Sequence, residues 1–186
     1  MQIIKTLREC GYKAKGQIMN AMYYNVPQSR ERVIIIGVRE DLGIEPSHPK
    51  PQTRPITFKD ACWEFREHET DLPFNHETKT ATAMLKVKPG KSQVEHHGHV
   101  KLSWSKPSPT LRKDFLGYFH YWHPSKHRPL LLIEWQRCGS FPDDFRFTDK
   151  KEGCQRIGNS VPPNLMKAIA EHIRDNILSK IEASHA

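Results

Sequence analysis

Cysteine is scarce in this chain and never closely spaced. Cys10, Cys62, Cys138 and Cys154 are the only four in 186 residues, and no C-x-x-C pair occurs. A disulfide scaffold is therefore not expected, and reduced thiols in a cytosolic setting are. Long apolar runs are also missing. The longest, Val33–Ile36 and Leu130–Ile133, fall far short of the ~20 residues a bilayer crossing needs. No charged-then-apolar leader follows Met1, so neither a secretory signal nor a membrane partner is expected. The expected location is the cytoplasm, at the nucleoid if the source is bacterial. Hydrophobic residues make up 37% and mean hydropathy is −0.70, which suits a surface-rich chain of one domain or two small lobes.

Charge is abundant and unevenly placed. The net charge is +8, from 29 basic and 21 acidic residues. Residues 79–128 hold 10 Lys/Arg against 2 Asp/Glu, whereas residues 51–78 hold 3 against 6. The excess thus belongs to one stretch, as expected of a phosphate-backbone binder. A basic face kept for solubility would give the same count.

Apolar spacing organises the chain. Ile3, Ile4 and Leu7 predict a short first helix ending near Gly11. Residues 12–24 read as a strand and a small-residue stretch. Val33-Ile34-Ile35-Ile36-Gly37-Val38 predicts a strand buried on both faces, as in an α/β sheet. Pro46, Pro49, Pro51 and Pro55 mark a crossing between lobes. A short helix is expected within 56–68, and only short strands and loops within 79–128. A Leu130–Arg137 helix follows, closed by Gly139. The last helix is the plainest: Pro162 and Pro163 suit its first turn, and Leu165, Ile169, Ile173 and Ile177 recur every four residues.

Three blocks stand out in order. Val26-Pro27-Gln28-Ser29-Arg30-Glu31-Arg32 leads into the apolar strand. Arg128-Pro129, Glu134, Arg137 and Phe141-Pro142-Asp143-Asp144-Phe145 come next. Gln155-Arg156-Ile157-Gly158-Asn159-Ser160-Val161-Pro162-Pro163 precedes the last helix. Together they resemble the C-terminal part of the DNA (cytosine-5) methyltransferases: the Q-x-R-x-R block and the last two family blocks. Gly139 stands where that family more often has glutamine. The resemblance implies an α/β fold: the C-terminal remainder of a Rossmann-like methyltransferase domain plus a small β-rich target-recognition lobe. The implied division is 1–42 and 151–186 in the catalytic domain and 43–150 in the recognition lobe.

The family's Phe-x-Gly-x-Gly loop, its Pro-Cys nucleophile and its Glu-Asn-Val block are absent from these residues. The isolated chain is therefore expected to be inactive. A catalytic subunit, or a missing N-terminal part, would complete a site that methylates cytosine C5 in duplex DNA with S-adenosylmethionine. By resemblance Arg32 contacts O2 of the extruded cytosine, where a guanidinium fork suits developing charge. Arg30 supports it or a phosphate, and Gln28 fixes the loop among the DNA-binding residues. Ordinary surface charge beside a strand is the plainer alternative for both arginines. Asn159, Ser160 and Val161 are expected to line the cofactor and base pocket, although Ser160 could simply cap a helix.

The recognition region carries Lys86, Lys88, Lys91, Lys101, Lys106, Arg112 and Lys113 as expected DNA contacts. Thr110 joins them in Pro107-Ser108-Pro109-Thr110, which resembles the family's Pro-x-x-Thr element. Gln93, Arg112 and Asn75 are candidate base readers. The aromatic run Phe115, Tyr118, Phe119, Tyr121, Trp122 is read as lobe core before stacking platform. Glu134 and Arg137 are three apart on one helix face, a spacing that allows them to pair. His96, His97, His99, His120, His123 and His127 are read as exposed or DNA-facing, with no metal expected. Two rivals remain: a DNA-binding specificity subunit without chemistry, and an RNA-directed relative, which the Val161-Pro162-Pro163 ending and the basic insert disfavour. An apolar surface left open by an incomplete sheet would drive self-association or pairing with the catalytic part.

Overall fold

A computed structural model describes residues 2–70, 74–93, 98–113 and 117–184. Helix α1 (Gln2–Glu9) gives way at Gly11, whose φ of +81° lies in the left-handed region that a residue without Cβ adopts freely. Strands β1 (Tyr12–Asn20) and β2 (Glu31–Arg39) follow as an antiparallel hairpin, with Ile18 opposite Val33 and Gly16 opposite Ile35. Then come α2 (Phe58–Cys62), α3 (Lys79–Leu85), β3 (Val100–Lys101), α4 (Gly117–His120) and β4 (Tyr121–Trp122). The chain continues through α5 (Leu132–Cys138), α6 (Lys150–Asn159) and α7 (Pro163–Ile173) to a π-helical stretch, Arg174–Leu178, and α8 (Ser179–Ser184). Strands β3 and β4 pair in parallel, so the described residues hold two small sheets.

The hairpin and the last helices share one core. Met19, Ile36 and Val38 pack with Leu165, Ala168, Ile169 and Ile177, and Ile34 and Ile173 lean against them. The four-residue apolar spacing of the last helix therefore does what it predicts. The strand does not. Ile36 and Val38 are buried, but Val33 is 51% exposed and its cross-strand neighbour Ile18 is 66% exposed. On that second face α1 covers only part of the sheet: Ile4 Cδ1 lies 3.3 Å from where a Cβ on Gly16 would stand.

A second core gathers Phe58, Cys62, Leu102, Leu111, Tyr121, Leu130, Trp135 and Cys138 with Cys154 and Ile157 of α6. The expected boundary at residue 150 thus cuts through this core, because α6 packs on α5 before the chain returns to the hairpin. Helix α3 is a further correction, since 79–128 were read as strands and loops. Its N-cap Thr78 accepts from the N–H of Ala81 at 3.1 Å, and Ala81 and Met84 bury themselves against Trp122. Seven residues with two buried positions are too few to set up a visible period. Tyr121 and Trp122 are core, as expected. Phe119 is half-buried, while Phe115 lies outside the described residues.

Candidate functional site

The loop before β2 is where the two cores meet. Ser29 N–H donates to Ser108 O at 2.8 Å, Ser108 N–H to Pro27 O at 2.9 Å, and the Thr110 hydroxyl to Ser29 O at 2.9 Å. Gln28 reaches further in. Its Nε2 donates to Cys138 O at 3.2 Å, and its Oε1 accepts from Leu111 N–H at 3.3 Å. Arg30 completes the joint: Nη1 donates to Leu111 O at 2.9 Å, and Nη2 to Gly158 O at 2.7 Å and Ser160 O at 3.0 Å. Arg30 is 2% exposed. Burial, and then the charge of Arg32, lower its pKa to about 10, still high enough to keep it a cation at neutral pH.

Gly158 makes this close approach feasible. A Cβ there would stand 2.6 Å from Lys113 N and 2.7 Å from the Arg112 carbonyl carbon. The two backbones touch, so only glycine fits. Of the roles expected, this geometry agrees with Gln28 fixing the loop and Arg30 supporting it, and not with a DNA contact by Gln28, a phosphate contact by Arg30 or ordinary surface charge at Arg30. Both side chains are buried and spent on backbone groups, which makes them fasteners between segments 28–30, 111, 138 and 158–160. Thr110 is half-buried and likewise tied inward. The burial pattern of Gln28 and Arg30 was not legible from residue type, since their partners are main-chain carbonyls.

Arg32, two residues on, is different. It is only partly buried, and its Nη1 donates to the neighbouring Glu31 O at 2.7 Å. At the other edge of the joint, Asn159 is exposed at the end of α6. The Ser160 hydroxyl donates to Ile157 O at 2.9 Å, and Val161 packs against the first core. Of the three residues expected to line a cofactor pocket, Asn159 alone turns its polar end outward. Ser160 closes the end of α6 and does not cap the start of α7.

Lys86, Lys88, Lys91, Lys106, Arg112 and Lys113 are exposed. Lys101 is half-buried, and burial lowers its pKa. Among the candidate base readers, Asn75 is exposed, Gln93 is half-buried, and Arg112 Nη2 lies 2.9 Å from His120 Nε2.

A buried polar network, missed in the sequence, sits behind this surface. Arg128 and Glu134 form a two-pronged ion pair at 2.8 and 3.0 Å. Glu134 also accepts from Leu131 N–H at 2.7 Å, starting α5, while Arg128 donates to the carbonyls of His68, Phe65 and Pro129. Glu134 therefore does not pair with Arg137, which instead holds Asp143 and Glu64. The helical spacing of three was present, but burial sends Glu134 inward and leaves Arg137 near the surface. The residue that Glu134 needed lay six positions upstream, across a proline turn.

His123 is fully buried beside this pair. Its Nδ1 accepts from the backbone N–H of Ser125 at 3.2 Å and of Lys126 at 2.8 Å, which places the ring proton on Nε2. Burial, then the charges of Arg128, Lys126 and Lys101, push its pKa from 6.5 down to about 3. Between those two values the unfolded chain takes up a proton that the folded chain refuses, so stability falls steadily as pH drops through this window. Replacement of His123 by asparagine keeps an acceptor for the two N–H groups and removes the titration. Thermal melts of the two proteins from neutral pH to pH ~4 should show a shallower acid loss for His123→Asn; parallel pH profiles would exclude His123 as the cause.

The histidines are not the exposed set expected. His99, His120 and His123 are buried, and His99 Nδ1 lies 3.0 Å from Phe119 O. His96 and His97 lie outside the described residues. Three of the four cysteines are buried, and the Cys62 thiol is pushed well up by its hydrogen bond to Cys138 and by burial. No helix among the described residues is long and apolar enough to cross a membrane.

Comparison with known proteins places this arrangement. Residues 1–175 match the family model for the C-5 cytosine-specific DNA methylase. The chain is 34% identical to the type II methyltransferase M.PspPI of a Psychrobacter species, over 92% of this chain and 48% of that protein. It is also 34% identical to M1.HphI of Haemophilus parahaemolyticus, over 92% of this chain and 50% of that protein. The chain thus spans about half the length of these curated relatives. Among solved structures, a protein encoded within an Escherichia coli prophage and described as a DNA modification methyltransferase superposes with a TM-score of 0.76 at 19% identity. That alignment covers 95% of this chain and 64% of the prophage protein. The S. pombe Dnmt2 methyltransferase gives a TM-score of 0.54 at 16% identity, covering 96% and 62%. The α/β fold is that of methyltransferases, and the chain belongs to the C-5 cytosine-specific DNA methylase family.

Proposed function

We propose that this chain is the target-recognition and base-pocket portion of a DNA cytosine-5 methyltransferase, working with a further polypeptide segment that carries the nucleophile. The observation that carries this reading is the joint at Arg30. One guanidinium draws together the Q-x-R-x-R loop, the Pro-x-x-Thr element and the Gly-Asn-Ser-Val loop, which lie up to 130 residues apart in the chain. In this reading Arg32, half-buried, and Asn159, exposed, would face the ligand. Arg32 would donate to the cytosine O2 as negative charge grows there, and Asn159 would hold a polar group of the substrate or cofactor. S-adenosylmethionine, when bound, supplies the electrophilic methyl group. A thiolate must come from elsewhere, because no cysteine here follows a proline and Cys62, Cys138 and Cys154 are buried. The recognition lobe is assigned to the second core and the lysine face around Lys86, Lys88 and Lys91.

The test is complementation. The chain with labelled S-adenosylmethionine and duplex DNA should transfer no label, and adding the N-terminal half of M.PspPI should restore transfer. Label transfer by the chain alone would overturn the assignment, and a complex that binds DNA without methylating it would favour a specificity subunit. Binding itself should weaken steeply with salt, since each phosphate contact releases a counterion. Alanine at Lys86, Lys88 and Lys91 together should reduce the slope of log K against log salt by about 2 to 3. A slope equal to wild type would remove this face from the DNA site.

A further inference from the structure

Residues 51–78 carry more acid than base, yet the folded chain sorts those charges. Glu64 pairs with Arg137, and Glu67 and Glu69 pair with Lys126. The Asp60 carboxylate is held by the backbone N–H and hydroxyl of Thr57, as the N-terminal cap of α2. The basic residues of the same segment, Arg54, Lys59 and Arg66, make no ion pair among the described residues. They gather around two tryptophans instead. Lys59 Nζ lies 4.7 Å from the ring centre of Trp63 and the Arg66 guanidinium 4.9 Å from it. Trp63 is 43% exposed and meets Trp104 edge-on at 5.1 Å. Beside them an open hollow of about 560 Å³ is lined by Arg54, Thr57, Lys59, Asp60, Trp104 and Ser105, the Asp60 carboxylate being engaged by Thr57.

This hollow runs into the lysine face. The hydroxyls of Ser103 and Ser105 are 3.1 Å apart. Gly90, between Lys88 and Lys91, backs onto Ser103 so closely that a Cβ on it would sit 3.4 Å from the Ser103 Cβ. Gly90 N–H also donates to Lys101 O at 2.8 Å. From Lys88 and Lys91 the surface therefore passes through the two serines and Trp104 to Lys59 and Arg54. Cations, hydroxyls and half-exposed indole in one strip match a sugar-phosphate chain: charge for the phosphates, flat apolar surface for the sugars.

We propose that the hollow lined by Trp104, with Trp63 standing beside it, is a second DNA-backbone contact that extends the lysine face beyond the segment where the basic excess lies. The proposal rests on the DNA-binding role assigned above. Duplex DNA, and not an acidic protein segment, is the occupant, because the strip continues the face already assigned to phosphates.

Two measurements decide it. The first is anisotropy titration of a labelled duplex spanning more than two helical turns, repeated over a range of salt. Replacing Arg54 and Lys59 together by alanine should lower the salt slope by about 2, as the loss of two phosphate contacts requires. The second is acrylamide quenching of tryptophan fluorescence in the unmodified chain. Saturating duplex should protect a component that is absent in Trp63→Phe. An unchanged slope together with unprotected Trp63 would overturn the proposal. So would protection by an acidic peptide and not by duplex. If the Lys86, Lys88, Lys91 variant flattens the slope but the Arg54, Lys59 variant does not, this inference fails alone. If the wild-type chain shows no salt-dependent binding, the DNA-binding reading fails with it.

Discussion

Replacing Glu134 by glutamine is expected to destabilise the chain by about 3–5 kcal/mol, the scale of a buried ion pair broken from one side. Arg128 would keep its charge and its three carbonyl partners but face a neutral amide with one oxygen in place of the two carboxylate oxygens at 2.8 and 3.0 Å, in a place water does not reach. Glutamine also turns one acceptor into a donor facing the guanidinium. Leu131 N–H, which opens α5, is at risk of losing its partner in the same change. Denaturant unfolding followed by tryptophan fluorescence reads this directly, because Trp135 sits within the affected helix. Adding Arg128→Met would remove the stranded charge but leave the carbonyls of His68, Phe65 and Pro129 without their donor, at about 1–3 kcal/mol each, so Arg128→Met with Glu134→Leu should recover little of the loss. A Glu134→Gln variant as stable as the unmodified chain would show that the ion pair does not set the cost.

The second large effect is expected at Arg30. Methionine fills a similar volume but leaves the carbonyls of Leu111, Gly158 and Ser160 without their donor. Each buried carbonyl left unpaired costs about 1–3 kcal/mol, so a loss on the order of 3 kcal/mol or more is expected. Lysine in its place should rescue only part, since one ammonium lacks the planar fork that spans two loops. The distinctive readout is cooperativity. With Arg30 intact the hairpin core and the second core should melt together. In Arg30→Met the two should separate, seen as divergent transitions by far-ultraviolet circular dichroism and by fluorescence. Coincident transitions in the variant would mean that the Pro27–Arg30 and Ser108–Leu111 backbone bonds suffice to couple them.

What could be read in advance follows from which interactions leave a trace in residue identity. The last helix was legible because its partner is a single apolar face, and Leu165, Ile169 and Ile177 repeat at the helical period. The blocks around Arg30 and Asn159 were legible as blocks. The role of Arg30 was not, because main-chain carbonyls look alike whatever residue bears them. The Val33–Val38 run promised two buried faces, and the described chain buries one fully. A run of apolar residues reports the environment a strand is suited to, not the neighbours present. Charge counting failed in an instructive way at residues 51–78. The sum was correct, but Glu64 pairs with Arg137, and Glu67 and Glu69 share Lys126, partners roughly 60 to 70 positions away, which no local tally can see. The Arg128–Glu134 pair escaped for a related reason. It bridges a proline turn, outside the helical spacings in which charge pairs are sought.

The bonds linking Pro27–Arg30 to Ser108–Leu111 bear on how much the intervening chain can vary. The chain leaves this joint at Arg30 and returns to it at Ser108, so the parts of residues 43–107 that lie outside the second core can change in length without moving the joint. Closing a longer excursion costs only about 0.6 kcal/mol per doubling of a flexible loop. A recognition segment could therefore lengthen, shorten or be exchanged while Arg32 and Asn159 keep their places, provided that a serine-like backbone partner meets Ser29, a threonine hydroxyl reaches its carbonyl, and a glycine still faces residues 112 and 113. Exchange of sequence reading between enzymes would then be a matter of grafting between two anchors, with the chemistry on the far side of Arg30 left untouched.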